Sequence, residues 1–162
     1  MKIEDLEAIV LDFDGVLTDN KVYVDQDGRE MVCCNRSDGL AFDVLKKTKL
    51  HLFILSTEKN PVVLQRGKKL GIPVYQGIND KSLALNELSQ KEGFSLSKTL
   101  FIGNDLNDYQ AMIQCGYKAC PKDSHFKIIE IASIHFESLG GEGVVRELVE
   151  DVLKIDLLNP SF

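Results

Sequence analysis

The run Ile9-Val10-Leu11, followed by Asp12-Phe13-Asp14-Gly15, constrains this chain more than any other stretch. Three consecutive apolar residues suit a strand buried on both faces of a parallel sheet. The run ends in carboxylates at i and i+2, and side chains two apart on a strand point the same way. Asp12 and Asp14 therefore project together from the carboxyl end of the strand, the edge at which open α/β sheets bind ligands. Two such carboxylates repel unless a cation sits between them or one holds a proton. A hard, oxygen-seeking cation such as Mg2+ satisfies the pair. A loop cap or a structural ion accounts for the pair as well, so the other strand ends must decide.

Along the chain, residues 7–12 read as the first strand. Val22-Tyr23-Val24, the turn Asp25-Gln26-Asp27-Gly28 and Glu30-Met31-Val32-Cys33-Cys34 read as a β-hairpin. Asp25-x-Asp27-Gly28 lacks the downstream ligand spacing of a calcium loop and is a plain turn. A two-stranded ribbon cannot bury all its own apolar and thiol side chains. It must pack on the domain or meet another subunit. A helix follows from Ser37 to about Lys47, with Leu40, Val44 and Leu45 as its buried stripe. His51–Leu55 is a strand. Asn60-Pro61 opens a helix that stops at Gly71. Val74-Tyr75, Thr99–Ile102 and Tyr117–Cys120 are further strands. Helices are predicted over Asp80 to about Glu92, Leu106–Cys115, Ser124–Ala132 and Val144–Leu153. This alternation predicts an α/β fold: a Rossmann-like three-layer sandwich around a central parallel sheet. The hairpin at about 21–34 is a small insert, and residues 1–162 form a single domain without room for a cap domain.

The net charge of −6 argues against general nucleic-acid binding. An anionic substrate would need a local cluster of Arg and Lys, helped by a metal. No apolar run is long enough to span a bilayer. Met1-Lys2-Ile3-Glu4-Asp5 is no secretion signal, and the four cysteines form neither a disulfide scaffold nor a zinc set. The cytoplasm is the expected compartment.

Four strand ends each deliver polar groups. The first gives Asp12 and Asp14. The second gives Ser56, Thr57 and Glu58, where a hydroxyl beside exposed backbone N–H groups suits a phosphoryl oxygen. The third region gives Lys81, set against the dipole at the start of a helix; neutralising a phosphoryl group or Asp12 would offset that cost. A solvated lysine is the plain alternative. The fourth gives Gly103-Asn104-Asp105-Leu106-Asn107-Asp108, whose acids could complete a Mg2+ site with Asp12 and the Asp14 carbonyl.

Asp12-Phe13-Asp14-Gly15-Val16-Leu17-Thr18-Asp19 resembles the first motif of the haloacid dehalogenase-like phosphatases. Ser56, Lys81 and Asp105/Asp108 follow in the order of the remaining motifs. The resemblance implies that Asp12 is the nucleophile and that Asp14 is the general acid/base. It also implies that Asp105 binds the metal and Asp108 orients the groups around it. Many relatives have Gly-Asp-Asp where this chain has Gly103-Asn104-Asp105; the uncharged Asn104 disfavours a metal role there and leaves it to Asp105.

The size, the hairpin, Tyr75-Gln76-Gly77 and Gly140-Gly141-Glu142-Gly143-Val144-Val145-Arg146-Glu147 are similar to one subfamily. It holds the 3-deoxy-octulosonate 8-phosphate and the nonulosonate (sialic-acid-type) 9-phosphate phosphatases. The resemblance implies a homotetramer in which a neighbour's hairpin helps close each active site, and a role in surface-carbohydrate synthesis such as that of lipopolysaccharide. A plain edge hairpin is the alternative. Octulosonate enzymes usually show Thr-Gly-Arg after the second strand, whereas this chain has Ser56-Thr57-Glu58-Lys59-Asn60-Pro61. Glu58, Arg66 and Lys69 match the nonulosonate pattern, and Arg66 and Lys69 share a helix face suited to a carboxylate. The expectation is therefore a nonulosonate 9-phosphate phosphatase, with Thr57, Glu58, Arg66 and Lys69 touching the substrate. Arg36 and Ser37 are weaker candidates. The alternatives are the octulosonate 8-phosphate phosphatase and a non-catalytic tetramerisation module like the domain fused to sialic-acid cytidylyl transferases. A receiver-type phospho-acceptor is more distant, because it has no need of Asp14. The tail Ile155–Phe162 is apolar and is expected to fray or to reach a neighbouring subunit.

Overall fold

A computed structural model describes residues 1–160. Eight strands form a six-stranded parallel sheet and a separate two-stranded hairpin. The parallel sheet holds β1 (Ala8–Leu11), β4 (His51–Leu55), β5 (Val74–Tyr75), β6 (Thr99–Ile102), β7 (Tyr117–Cys120) and β8 (Ile134–His135). Their order is β5-β4-β1-β6-β7-β8. The hairpin is β2 (Thr18–Val24) with β3 (Glu30–Cys34), starting a little before the expected insert.

The central strands β1, β4 and β6 are apolar along most of their length because both faces are covered. Ile9 and Leu11 enter one core, with Leu52, Ile54, Leu100 and Ile102. Val10 enters the other, with Phe53, Leu55 and Phe101. Successive side chains on a strand alternate faces, so each run feeds two cores at once. The first core is closed by α1 (Ser37–Leu45), α2 (Val62–Leu70) and α6 (Val144–Glu147). The second is closed by α3 (Lys81–Glu92), α4 (Tyr109–Met112) and α5 (Phe126–Ile131). This is the predicted three-layer sandwich. No helix among the described residues is long and apolar enough to cross a membrane.

Several elements depart from the sequence pattern. Leu40 is exposed; Ala41, Phe42, Val44 and Leu45 form the buried face of α1. The helix expected over 106–115 is regular only at Tyr109–Met112, because residues 105–109 close i→i+3 turns from Asp105 and Leu106. The helix expected over 144–153 becomes a π-type turn at Leu148–Val152, where Leu153 N–H donates to the Leu148 carbonyl. Asp38, in the first turn of α1, accepts from the Val145 and Arg146 N–H groups at 3.0 and 3.1 Å. It caps α6 from across the core, which ties the two helices together. Of the tail, Ile155 is buried and Leu158 is exposed; Ser161 and Phe162 lie outside the described residues.

Candidate active site

The chain leaves β1 to build β4 and β5 on one side, then returns past it to build β6, β7 and β8 on the other. The strand order therefore reverses beside β1, and loops diverge at the carboxyl ends of β1 and β6. A crevice is expected there in an open parallel sheet. A cavity of about 260 Å³ occupies it. Asp12 and Asp14 after β1, Thr57 after β4, and Asn104, Asp105 and Asn107 after β6 border it. Loops from three neighbouring strands thus meet at one point.

Asp12 is buried, with 3 % of its surface exposed. Its Oδ1 accepts from its neighbour's N–H, that of Phe13, at 2.7 Å, and pairs with Lys81 Nζ at 2.6 Å. Lys81 Nζ also contacts Asp108 Oδ1 at 2.6 Å. Asp108 Oδ2 in turn accepts from the Asn104 and Asp105 N–H groups at 2.9 and 3.3 Å. Asp80 caps α3 by accepting from Leu83 N–H at 3.0 Å, which sets Lys81 on the first helical turn facing inward. The chain thus fixes Asp12, Lys81 and Asp108 from three separate elements.

This trio holds two carboxylates and one ammonium, all buried. Burial, and then the charge of Asp108, push the Asp12 carboxyl up to about 7 against the pull of Lys81. Asp12 and Asp108 hold the Lys81 ammonium above its ordinary range although burial opposes them. Asp14 is also raised, chiefly by burial and next by the charge of Glu58. The unfolded chain releases the Asp12 proton near pH 4, whereas the folded metal-free chain keeps it to about pH 7. The contribution of Asp12 to stability is therefore complete below pH 4 and is lost as pH rises to about 7. Asp14 and Asp38 are raised too and act with the same sign. In chelator, urea unfolding should show the protein more stable at pH 5 than at pH 8, with a smaller difference in Asp12→Asn. A flat or opposite slope would contradict this account.

The remaining predicted residues are placed as follows. Ser56 is buried, and its Oγ accepts from Glu58 N–H at 3.1 Å, which leaves its own proton to donate. Thr57 Oγ1 accepts from Asn107 Nδ2 at 3.3 Å at the cavity wall. One oxygen of the Glu58 carboxylate, Oε1, accepts from Lys59 and Asn60 N–H at 2.6 and 2.7 Å. Arg66 and Lys69 come together, but with Arg36 around a different cavity of about 270 Å³. Arg66 donates to the Asn35 carbonyl at 2.6 Å. Ser37 Oγ donates to Asn35 Oδ1 at 2.8 Å and stays in its own turn. Asn20, Asn104 and Asn107 also border this cavity and were not singled out as substrate contacts by the sequence. Asn20 carried a signal only in its backbone, a left-handed φ of 62°.

The loop 140–143 packs on this centre. A Cβ at Gly140 would overlap the Gly15 carbonyl, and the Gly141 N–H donates to the Val16 carbonyl at 3.0 Å. Among the described residues, no three His, Cys, Asp or Glu side chains converge as a ready metal cluster.

The family model for haloacid dehalogenase-like hydrolases matches residues 43–148. The 3-deoxy-D-manno-octulosonate 8-phosphate phosphatase KdsC of Escherichia coli K12 is 30% identical over 153 residues, covering 94% of this chain and 81% of that protein. A solved Streptomyces avermitilis protein assigned to the haloacid dehalogenase family is 38% identical with a TM-score of 0.92, covering 100% of this chain and 97% of that one. The 3-deoxy-D-manno-octulosonate 8-phosphate phosphatase of Moraxella catarrhalis, solved with magnesium, phosphate and its KDO molecule, is 31% identical with a TM-score of 0.88, covering 93% and 87%. On a sheet whose strand ends gather Asp12, Lys81 and Asp108, these likenesses make the chain a member of the haloacid dehalogenase-like hydrolases, a phosphoric monoester hydrolase related to KdsC.

Proposed function

We propose that the protein hydrolyses the phosphate ester of a 2-keto-3-deoxy sugar acid, with 3-deoxy-D-manno-octulosonate 8-phosphate as the substrate its relatives favour. The observation that carries the chemistry is Asp12: one carboxylate oxygen is clamped by Lys81 and a backbone N–H, and the residue borders the cavity. A nucleophile held in one orientation needs little reorganisation to attack.

Mg2+ fits this site on donor chemistry. The donors are oxygens, and the buried carboxylates outnumber the one ammonium. Asp12, the Asp14 carbonyl and Asp105 would hold it. Bound there, it would screen the phosphate from Asp12 and polarise the phosphoryl oxygens.

The steps belong to the side chains. An Asp12 carboxylate oxygen attacks phosphorus, and the bond from phosphorus to the sugar oxygen breaks. The raised proton affinity of Asp14 suits it to protonate that oxygen as it leaves. The products of this half are an aspartyl phosphate and the free sugar acid. Asp14 then takes a proton from water, whose oxygen attacks phosphorus and releases phosphate from Asp12. Ser56 and Thr57 hold phosphoryl oxygens, Lys81 orients Asp12, and Asp108 holds Lys81 and the 104–105 backbone.

A second reading, a nine-carbon acid 9-phosphate, is favoured by the cluster of Arg36, Arg66 and Lys69. Three cations against one carboxylate, Asp43, leave this cavity net positive, which suits a substrate carboxylate. They border a cavity of their own, so the acid must reach them across the surface or from a neighbouring copy, with Glu58 at the turn between. Phosphate release with Mg2+ from eight- and nine-carbon acid phosphates separates the readings. Preference for the eight-carbon ester supports the first. Preference for the nine-carbon ester, lost in Arg66→Ala, supports the second. No turnover of either sinks both and favours the assembly-module alternative.

The hairpin supports a homotetramer in which it covers a neighbour's site. Val22, Tyr23, Val24 and Met31 are each more than half exposed, on a ribbon too small to bury them. Sedimentation as a monomer at micromolar concentration would remove this part of the proposal.

A further inference from the structure

Asp38 is a buried acid that the proposed steps do not use. It is 1 % exposed and does not border the catalytic cavity. Its Oδ1 accepts from the Val145 and Arg146 N–H groups, while its Oδ2 is shut off from water and has no hydrogen-bond partner among the described residues. A carboxylate with one bare oxygen in the interior is a costly helix cap, where an uncharged Ser or Asn would cap as well. What it gives in return is a stronger hold on the two N–H groups.

That hold matters because α6 has no cap of its own. The residue before it, Gly143, sits at a left-handed φ of +98° and has no side chain to offer. Asp38 therefore sets where α6 begins, and with it one end of the loop 140–143. The other end is held by Asp123, whose Oδ1 accepts from Gly140 N–H at 2.9 Å.

Between these anchors the loop lies on the turn that carries Asp14. A Cβ at Gly140 would run into the Gly15 carbonyl, and one at Gly141 into the peptide between Thr18 and Asp19. Thr18 is fully buried under this loop. Its Oγ1 accepts from Gly15 and Asn20 N–H at 3.1 and 3.2 Å, which leaves its own proton for the Asp14 carboxyl. A continuous line of contacts thus runs from Asp38 through α6 and the glycine loop to Asp14.

Resting on the phosphatase reading above, we infer that Asp38 is a positioning residue for the general acid. By fixing the start of α6 it presses the loop 140–143 onto the turn 15–19, and so holds Asp14 where it protonates the leaving oxygen. Its effect then depends on the leaving group. A sugar alkoxide needs the Asp14 proton to depart, whereas p-nitrophenolate leaves without one.

The test compares kcat/KM, which ends at loss of the leaving group, for a sugar-acid phosphate and for p-nitrophenyl phosphate, both with Mg2+. Asp38→Ala should lose about tenfold or more on the sugar ester and less than about threefold on the nitrophenyl ester. Asp38→Asn, which keeps an acceptor oxygen for the two N–H groups, should stay within about threefold of the parent on both. In an Asp14→Asn background, Asp38→Ala should cost less than about threefold on the sugar ester, because the group it positions is gone. Gly141→Ala, which pushes the loop off the turn, should repeat the Asp38→Ala pattern and carries the test if Asp38→Ala does not fold. Equal losses on the two esters overturn the inference, since they mark a residue that only supports the fold. So does an unchanged kcat/KM on the sugar ester. A parent that hydrolyses no sugar-acid phosphate overturns the phosphatase reading, and this inference falls with it.

Discussion

Asp12→Asn should lower phosphate release from any accepted ester by about 10⁴-fold or more, the scale on which losing a nucleophile is felt. The fold should survive. Asn has the same shape, and its Oδ1 can still accept from Phe13 N–H and from Lys81, which bind Oδ1 in the parent. Lys81 keeps Asp108 as a charged partner at 2.6 Å. The substitution also removes a buried charge that burial and Asp108 disfavour. Above pH 7 the variant should therefore unfold at a urea concentration equal to or higher than the parent's. Activity and stability thus move in different directions, and that separates a nucleophile from a structural carboxylate. Single-turnover phosphate release and urea unfolding at pH 8 give both readouts. A variant retaining more than about a hundredth of the parent rate would remove Asp12 from the covalent step. A variant that is inactive because it unfolds would show Asp12 to be structural.

Much of this site could be read from local chemistry. β1, β4 and β6 each end where an apolar run gives way to polar residues, so Asp12, Ser56 and Asp105 mark the carboxyl edge of the sheet without any structure. Gly71 and Gly93 stop α2 and α3 in left-handed conformations, as isolated glycines after apolar periodic runs imply. Lys81 looked ill-placed against its helix dipole, and the two buried carboxylates it meets supply the reason. Other features were illegible because distant residues set them. Asp38 caps a helix 107 residues later, a bond with no trace in the neighbouring sequence. Leu40 fits a helical stripe by spacing, but α6 and the sheet meet α1 on the face of Ala41, Phe42 and Leu45. The helix after β6 starts late because the 104–108 turn wraps backbone N–H groups around Asp108. Asn104 was set aside for its lack of charge. Its amide is seated against Gly15, far away along the chain. Arg66 and Lys69 do share a helix face, yet a helix face does not say which cavity it borders.

Lys81→Met should produce the largest loss of stability of any single change at this site. Met preserves most of the length of the side chain and removes the charge. Two carboxylates, Asp12 and Asp108, would then face each other in the interior without their shared cation. Breaking a buried ion pair from one side costs about 3–5 kcal/mol, because the remaining charge is left uncompensated. The loss should be greater at pH 8 than at pH 5. At the lower pH Asp12, already pushed up to about 7, takes a proton and relieves the repulsion. Asp108→Asn introduced beside Lys81→Met should recover part of the stability at pH 8, since only one buried charge then remains. Activity should fall in both variants, because Asp12 loses the contact that orients it and the ammonium that keeps it ionised. Urea unfolding of the three proteins in chelator at both pH values measures the effect. A Lys81→Met protein within about 1 kcal/mol of the parent at pH 8 would mean that Lys81 does little for the fold. Its burial would then serve the orientation of Asp12 alone.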